Sequence, residues 1–163
     1  MAQFHEIFPE LTVDRLFTPA EAHALAGPSP QTQRNWRHRK LVPFDRRPPE
    51  AASDLPAPFT WEQVMQWALM FEAQARGMPL ADAGLLAAHE KLQQLHRFDF
   101  RRPYGPQLFI FYRLGDDGQI EVSTHGGKIT FDTDDPWWGN FGSWLNYSKV
   151  QRDVVARYEA RRG

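Results

Sequence analysis

The sequence contains no cysteine, which excludes disulfides, thiolate metal sites and thiol-based redox sensing. It also lacks an excess of either charge, since 19 Lys and Arg stand against 20 Asp and Glu for a net charge of −1. A uniformly basic, sequence-blind coat for nucleic acid does not fit that balance, so any cationic surface has to arise by local clustering. No apolar run approaches the ~20 residues needed to cross a bilayer. Residues 1 to 17 carry acids among their apolar side chains and show neither a basic start nor a small-residue cleavage site, so no secretory signal is expected there. A soluble, cytoplasmic protein is the expectation. The chain has no P-loop, no G-x-S-x-G and no dinucleotide fingerprint. Its six histidines are scattered, and none shares a helix face with a second ligand at metal-binding spacing. His125 beside Gly126 and Gly127, followed by Asp132, Asp134 and Asp135, is the one cluster with an enzymatic look, and turn chemistry accounts for it more simply. The expectation is therefore of no catalytic residue, no metal and no cofactor.

What is present suits a packed core, with 42% hydrophobic and 13% aromatic residues. Thr18-Pro19-Ala20-Glu21 is a capping box with proline at the first helical position, opening a short helix that Gly27 and Pro28 end. Ser29 caps a second helix that starts at Pro30 and runs to Lys40, before Leu41-Val42-Pro43 closes it. Two short helices joined by a tight turn form a helix-turn-helix pattern. Residues 44 to 59 hold four prolines and no periodicity, which reads as an exposed loop or wing. Thr60 to Gln63 is a second capping box, and Val64, Met65, Trp67, Ala68, Met70 and Phe71 give the next helix a broad apolar face. After Gly77 and Pro79, Leu80, Leu85, Leu86, Ala88, Leu92 and Leu95 repeat at helical spacing to about His96. The subset Leu85, Ala88, Leu92 and Leu95 suits either a dimer seam or burial against the protein's own hairpin.

Past His96 the pattern changes. Residues 107 to 113 and 120 to 124 are rich in aromatic and β-branched side chains and flank Gly115-Asp-Asp-Gly118, a hairpin pattern. Lys128 to Asp132 is a candidate third strand, Trp137 to Gly142 an aromatic loop, and Tyr147 to Arg162 a final helix bearing Val150, Val154, Val155 and Tyr158. The fold class expected is α+β: a winged helix-turn-helix, then a small hairpin or three-stranded element, then a C-terminal helix. The expected division is 1–96 for the winged domain and 97–163 for a tail serving dimerisation, ligand or partner binding.

Charge is the main functional signal. Between Ser29 and Arg47 lie Arg34, Arg37, Arg39, Lys40, Arg46 and Arg47 against the single acid Asp45. The positive field thus sits where a recognition helix and wing would be, and such cations neutralise phosphates and release counterions. Arg37 and Asn35 are candidate base readers, because these residue types make bidentate contacts to guanine and adenine. A solvated helix face is the plainer account of the same run.

The run Phe17-Thr-Pro-Ala-Glu-Ala22, then Ser29-x-x-Thr32-x-Arg34-x-Trp36 and Leu41-Val42-Pro43, resembles the MerR family of DNA-binding regulators. Phe59 to Val64 resembles that family's wing-to-helix joint, and Arg76-Gly77-Met-Pro-Leu80 the turn before its fourth helix, so the resemblance spans residues 17 to 95. It implies a DNA-binding set of Thr18, Ser29, Gln31, Thr32, Arg34, Asn35, Trp36, Arg37, His38, Arg39, Lys40, Arg46 and Arg47. Within that set Arg34 matches the backbone-gripping arginine, and Trp36 an aromatic beside the phosphates; Trp36 suits a core position equally well. Gln33 stands where the family prefers a buried leucine, and Lys40 where a glycine often ends the helix. The implied function is a sequence-specific transcriptional regulator, homodimeric and bound to double-stranded DNA in the nucleoid. A second resemblance is to VapB-type antitoxins with a MerR-like domain, whose tail engages a toxin; a phage or mobile-element regulator is a further option. On either reading Trp137, Trp138, Phe141 and Trp144 are candidate partner-binding residues.

Overall fold

The computed structural model describes residues 15–39, 59–98, 108–126 and 143–161. Their elements, in chain order, are β1 (Leu16–Phe17), α1 (Pro19–Ala26), α2 (Pro30–His38), β2 (Phe59–Thr60) and α3 (Trp61–Ala75). There follow α4 (Leu80–Ala88), α5 (Glu90–Phe98), β3 (Leu108–Leu114), β4 (Ile120–Gly126), β5 (Ser143–Asn146) and α6 (Tyr147–Ala160). The protein is of the α+β class, with two small antiparallel sheets among the described residues.

Helix α3 is the hub. Trp61, Val64, Met65, Trp67, Leu69, Met70 and Ala73 are all at most 1% exposed, so the helix is apolar on more than one side and is enclosed on more than one side. It packs against α1, α4, α5 and α6. Its start is set locally: Thr60 Oγ1 accepts from the Gln63 amide at 3.2 Å, while the Gln63 side chain accepts from the Thr60 amide at 2.9 Å. Both capping boxes expected from the sequence are formed, the other joining Thr18 and Glu21. A two-residue ladder unannounced by the sequence pairs Leu16 with Thr60 and Phe17 with Phe59, tying the chain before α1 to the chain before α3.

The hairpin forms as its composition suggests, with Leu108 opposite Gly126 and Leu114 opposite Ile120. Gly118 closes the turn at φ 76°, its amide donating to the Gly115 carbonyl at 2.9 Å. The third strand of the described sheet is Ser143–Asn146, which pairs with β3 to give the order β4-β3-β5. The candidate strand at 128–132 lies outside the described residues. Ile110, Val122 and Leu145 join the central core, whereas Phe109 and Phe111 alternate onto the other face and are still only 7% exposed. A strand buried on both faces needs a continuous apolar run, and Leu-Phe-Ile-Phe-Tyr supplies it.

The single helix expected from Leu80 to about His96 is instead two. His89 leaves helical geometry with φ −59° and ψ 131°, and α5 departs in a new direction. The carbonyls released by the break are taken up by side chains from the next helix: Gln93 Nε2 donates to the Ala88 carbonyl at 2.9 Å and His96 Nε2 to the Ala87 carbonyl at 3.2 Å. The supposed leucine seam is divided by this break, with Leu85 52% exposed on α4 and Leu92 fully buried on α5. One cluster of buried side chains runs from Phe17 through α3 to Val150, Val154, Val155 and Tyr158 of α6, crossing residue 96.

Candidate nucleic-acid interface

Helix α2 divides its residues sharply between two faces. Gln33 and Trp36, three apart, are buried at 2% and 4% exposure. Gln31, Arg34, Asn35 and His38 are exposed and recur at the i, i+3, i+4, i+7 spacing of one helical stripe. That stripe is polar and carries no acid. Its side chains are already connected: Arg34 Nη2 donates to Gln31 Oε1 at 2.7 Å, and Gln31 Nε2 donates to Asn35 Oδ1 at 3.0 Å. Arg39, at the helix end, is exposed as well.

The start of α2 is set by Ser29, whose Oγ accepts from the Thr32 amide at 3.1 Å and lies 2.9 Å from the Thr32 hydroxyl. Thr18 does the corresponding job for α1, accepting from the Glu21 amide at 3.2 Å while its own amide donates to the Glu21 carboxylate at 2.8 Å. That donation from the Thr18 amide is the main reason the Glu21 carboxyl titrates below the usual range.

Trp36 belongs to the core. Its ring stacks on Trp67 with centroids 5.5 Å apart and planes 11° from parallel, and Phe59 meets Trp67 edge-on at 6.2 Å. Arg37, a candidate base reader, is half-buried and lies over the same group, its guanidinium carbon 5.9 Å from the Phe59 ring and 5.8 Å from the Trp67 ring. It braces α2 on the hub from that position. The two buried residues of α2 thus fix its orientation and leave the polar stripe outward.

Several supporting residues escaped the sequence reading. Gln33 donates to the Pro28 carbonyl at 3.3 Å, and His23 Nδ1 bonds the same oxygen. The turn between α1 and α2 therefore has a buried carbonyl to satisfy, which explains a glutamine where the resemblance calls for leucine. The departure itself was the signal. From the far end of the chain, Arg157 Nη1 donates to the Leu25 carbonyl at 2.9 Å, and Tyr158 accepts from Arg15 Nη1 at 2.9 Å. No local pattern announces either contact.

Of the remaining candidates, Lys40, Arg46 and Arg47 lie outside the described residues, as do Trp137, Trp138 and Phe141. Trp144 is described: it is 40% exposed on β5, edge-on to Phe109 at 5.6 Å. Among the described residues no group of acids and histidines could hold a metal ion, and no helix is long and apolar enough to cross a membrane. No family model matches the chain, and no curated protein matches its sequence.

Proposed function

We propose that this chain is a sequence-specific, double-stranded DNA-binding transcriptional regulator of the MerR-like winged-helix kind, with α1 and α2 as its helix-turn-helix and α2 as the recognition helix. The observation that carries the reading is the outward stripe of Gln31, Arg34, Asn35 and His38, acid-free and held outward by the burial of Gln33 and Trp36. Gln and Asn side chains match the donor and acceptor pattern of adenine in the major groove, while Arg34 and Arg39 suit phosphates or guanine. The wing corresponds to the chain between α2 and β2, whose exit is pinned where Phe59 pairs with Phe17. One helix of this length reads few base pairs, so a homodimer on two half-sites is part of the proposal, with partner choice assigned to the region after residue 96.

The test is salt-dependent binding to a selected operator. Replacing Arg34 and Arg39 together by Ala lowers affinity for every duplex and reduces the slope of log K against log salt by about 2, one unit per lost phosphate contact. Asn35→Ala changes the preference at one base pair by ~1–3 kcal/mol and leaves the slope alone. An unchanged slope in the double variant, with helix content intact, overturns the assignment of α2.

A further inference from the structure

Nine residues along α3 from Trp67, about 13 Å down the helix axis, the chain turns at Arg76-Gly77-Met78-Pro79 into α4. Between this turn and the end of the hairpin is a cleft of about 450 Å³, within the range of small-molecule sites. Met78, Tyr112, Leu114 and Ile120 make its apolar lining, and Arg76, Asp82 and Arg113 lie on its walls, Arg113 paired with Glu121 at 2.6 Å.

With Arg113 already paired, Arg76 and Asp82 are arranged unusually. Arg76 is anchored along one edge, Nε donating to Glu72 at 2.9 Å, and its guanidinium carbon lies 5.9 Å from the Trp144 ring. Glu72 is also within 3.9 Å of the Lys149 ammonium, which steadies the anchor. The terminal amino groups of Arg76 have no acceptor among the described residues. Asp82 is half-buried in the first turn of α4, and its carboxylate makes no hydrogen bond or ion pair there. The two opposite charges line one cleft, six positions apart in sequence, yet do not reach each other. An acid in a first turn is favoured by the helix dipole alone, but that does not require it to line a mixed polar and apolar cleft together with a half-satisfied arginine. Gly77 takes the turn through a φ of +91° that favours glycine, with open space around it.

We infer that this cleft binds a free α-amino acid with an apolar side chain: the carboxylate on the open edge of Arg76, the ammonium on Asp82, and the side chain against Met78, Leu114 and Ile120. A simple anion is disfavoured by the Asp82 carboxylate, and a simple amine by Arg76; a zwitterion satisfies both. Charge-assisted hydrogen bonds of this kind decide between ligands that differ in one ionic group.

The experiment uses the full chain and isothermal titration with L-phenylalanine, L-leucine and L-methionine, beside N-acetyl-L-phenylalanine, which lacks the ammonium, and phenethylamine, which lacks the carboxylate. Saturable binding of at least one free amino acid is expected, with both truncated probes weaker by about tenfold or more. Asp82→Asn lowers affinity for the free amino acid by a similar factor and leaves that for the N-acetyl probe unchanged. Arg76→Gln lowers both. These residues are at the surface, so melting curves of the variants are expected to match the parent within a few degrees. No saturation by any of the three amino acids up to about 10 mM, weaker than the roughly −4 kcal/mol of a millimolar ligand, overturns the inference. Equal affinity for L-phenylalanine and its N-acetyl derivative overturns it too. The outcome is independent of whether α2 binds DNA.

Discussion

Two helix junctions in this molecule are built in opposite ways. Between α1 and α2 the chain reverses through Gly27, whose φ of 103° few other residues adopt, and each helix has its own capping hydroxyl. Between α4 and α5 there is neither glycine nor proline; His89 breaks the helix, and the carbonyls left over are satisfied by Gln93 and by the buried His96. The turn and caps of the first junction are set by residues at the junction, with Arg157 bracing it from afar, whereas the second rests on partners one or two turns away that have to be packed before they act. The local turn and caps tolerate changes elsewhere, whereas a junction made only by remote partners depends on the integrity of the core.

The largest effect is therefore expected at His96. Its ring is fully buried, and because a carbonyl only accepts, Nε2 carries the proton toward Ala87 while Nδ1 accepts from the Tyr147 hydroxyl at 2.8 Å. His96→Ala leaves a cavity and removes the ring's bonds to the Ala87 carbonyl and the Tyr147 hydroxyl, at a cost of about 3–5 kcal/mol measured by denaturant unfolding. Acid probes the same point without mutation. Burial holds the imidazole down at about 4, while in the unfolded chain it titrates near 6.5. Between those values the unfolded state binds the extra proton, so stability falls as pH drops through the window, by up to about 3 kcal/mol. A stability profile as flat in that window as a His96→Gln variant's would refute the link.

Next in size is the local junction. A Cβ at Gly27 would come within 2.9 Å of the Phe71 ring as well as demanding a strained φ, so Gly27→Ala costs about 2–3 kcal/mol. Gly77→Ala at the α3–α4 turn shares the positive φ but has open space around it, and costs about 1 kcal/mol. Melting the two variants side by side separates steric conflict from backbone strain; equal shifts would mean that Phe71 moves aside freely. Ser29→Ala stands with Gly77→Ala at the small end, about 1 kcal/mol for one lost cap. Hydrogen exchange should show its loosening confined to the first turn of α2, and a shift spread to α5 would erase the distinction between the two junctions.

The same contrast explains what could be foreseen. Helices opening at Thr18, Ser29 and Thr60 were legible because a hydroxyl before a helical pattern has one role. The hairpin was legible because Gly115 to Gly118 interrupts two β-prone runs. The break at His89 was not, since an unbroken apolar period continues across it, and the burial of Leu92 and His96 and the bond from Gln93 to the Ala88 carbonyl are packing outcomes. At the candidate interface the sequence marked the cationic helix but not which of its faces is outward: the polar duty of Gln33 and the inward pose of Arg37 depend on Pro28 and on the Trp67 and Phe59 rings, partners that no window of sequence brings together.

The bond from Arg157 to the Leu25 carbonyl joins positions 132 residues apart. The end of α1 is thus held by α6, from far along the sequence. During synthesis the first two helices can form turn by turn, yet their mutual setting waits for α6 to arrive, and closing so long a loop is slow. A chain in which α6 has not yet docked therefore presents α2 without its finished mounting, so the setting of the outward stripe is coupled to a helix far along the sequence.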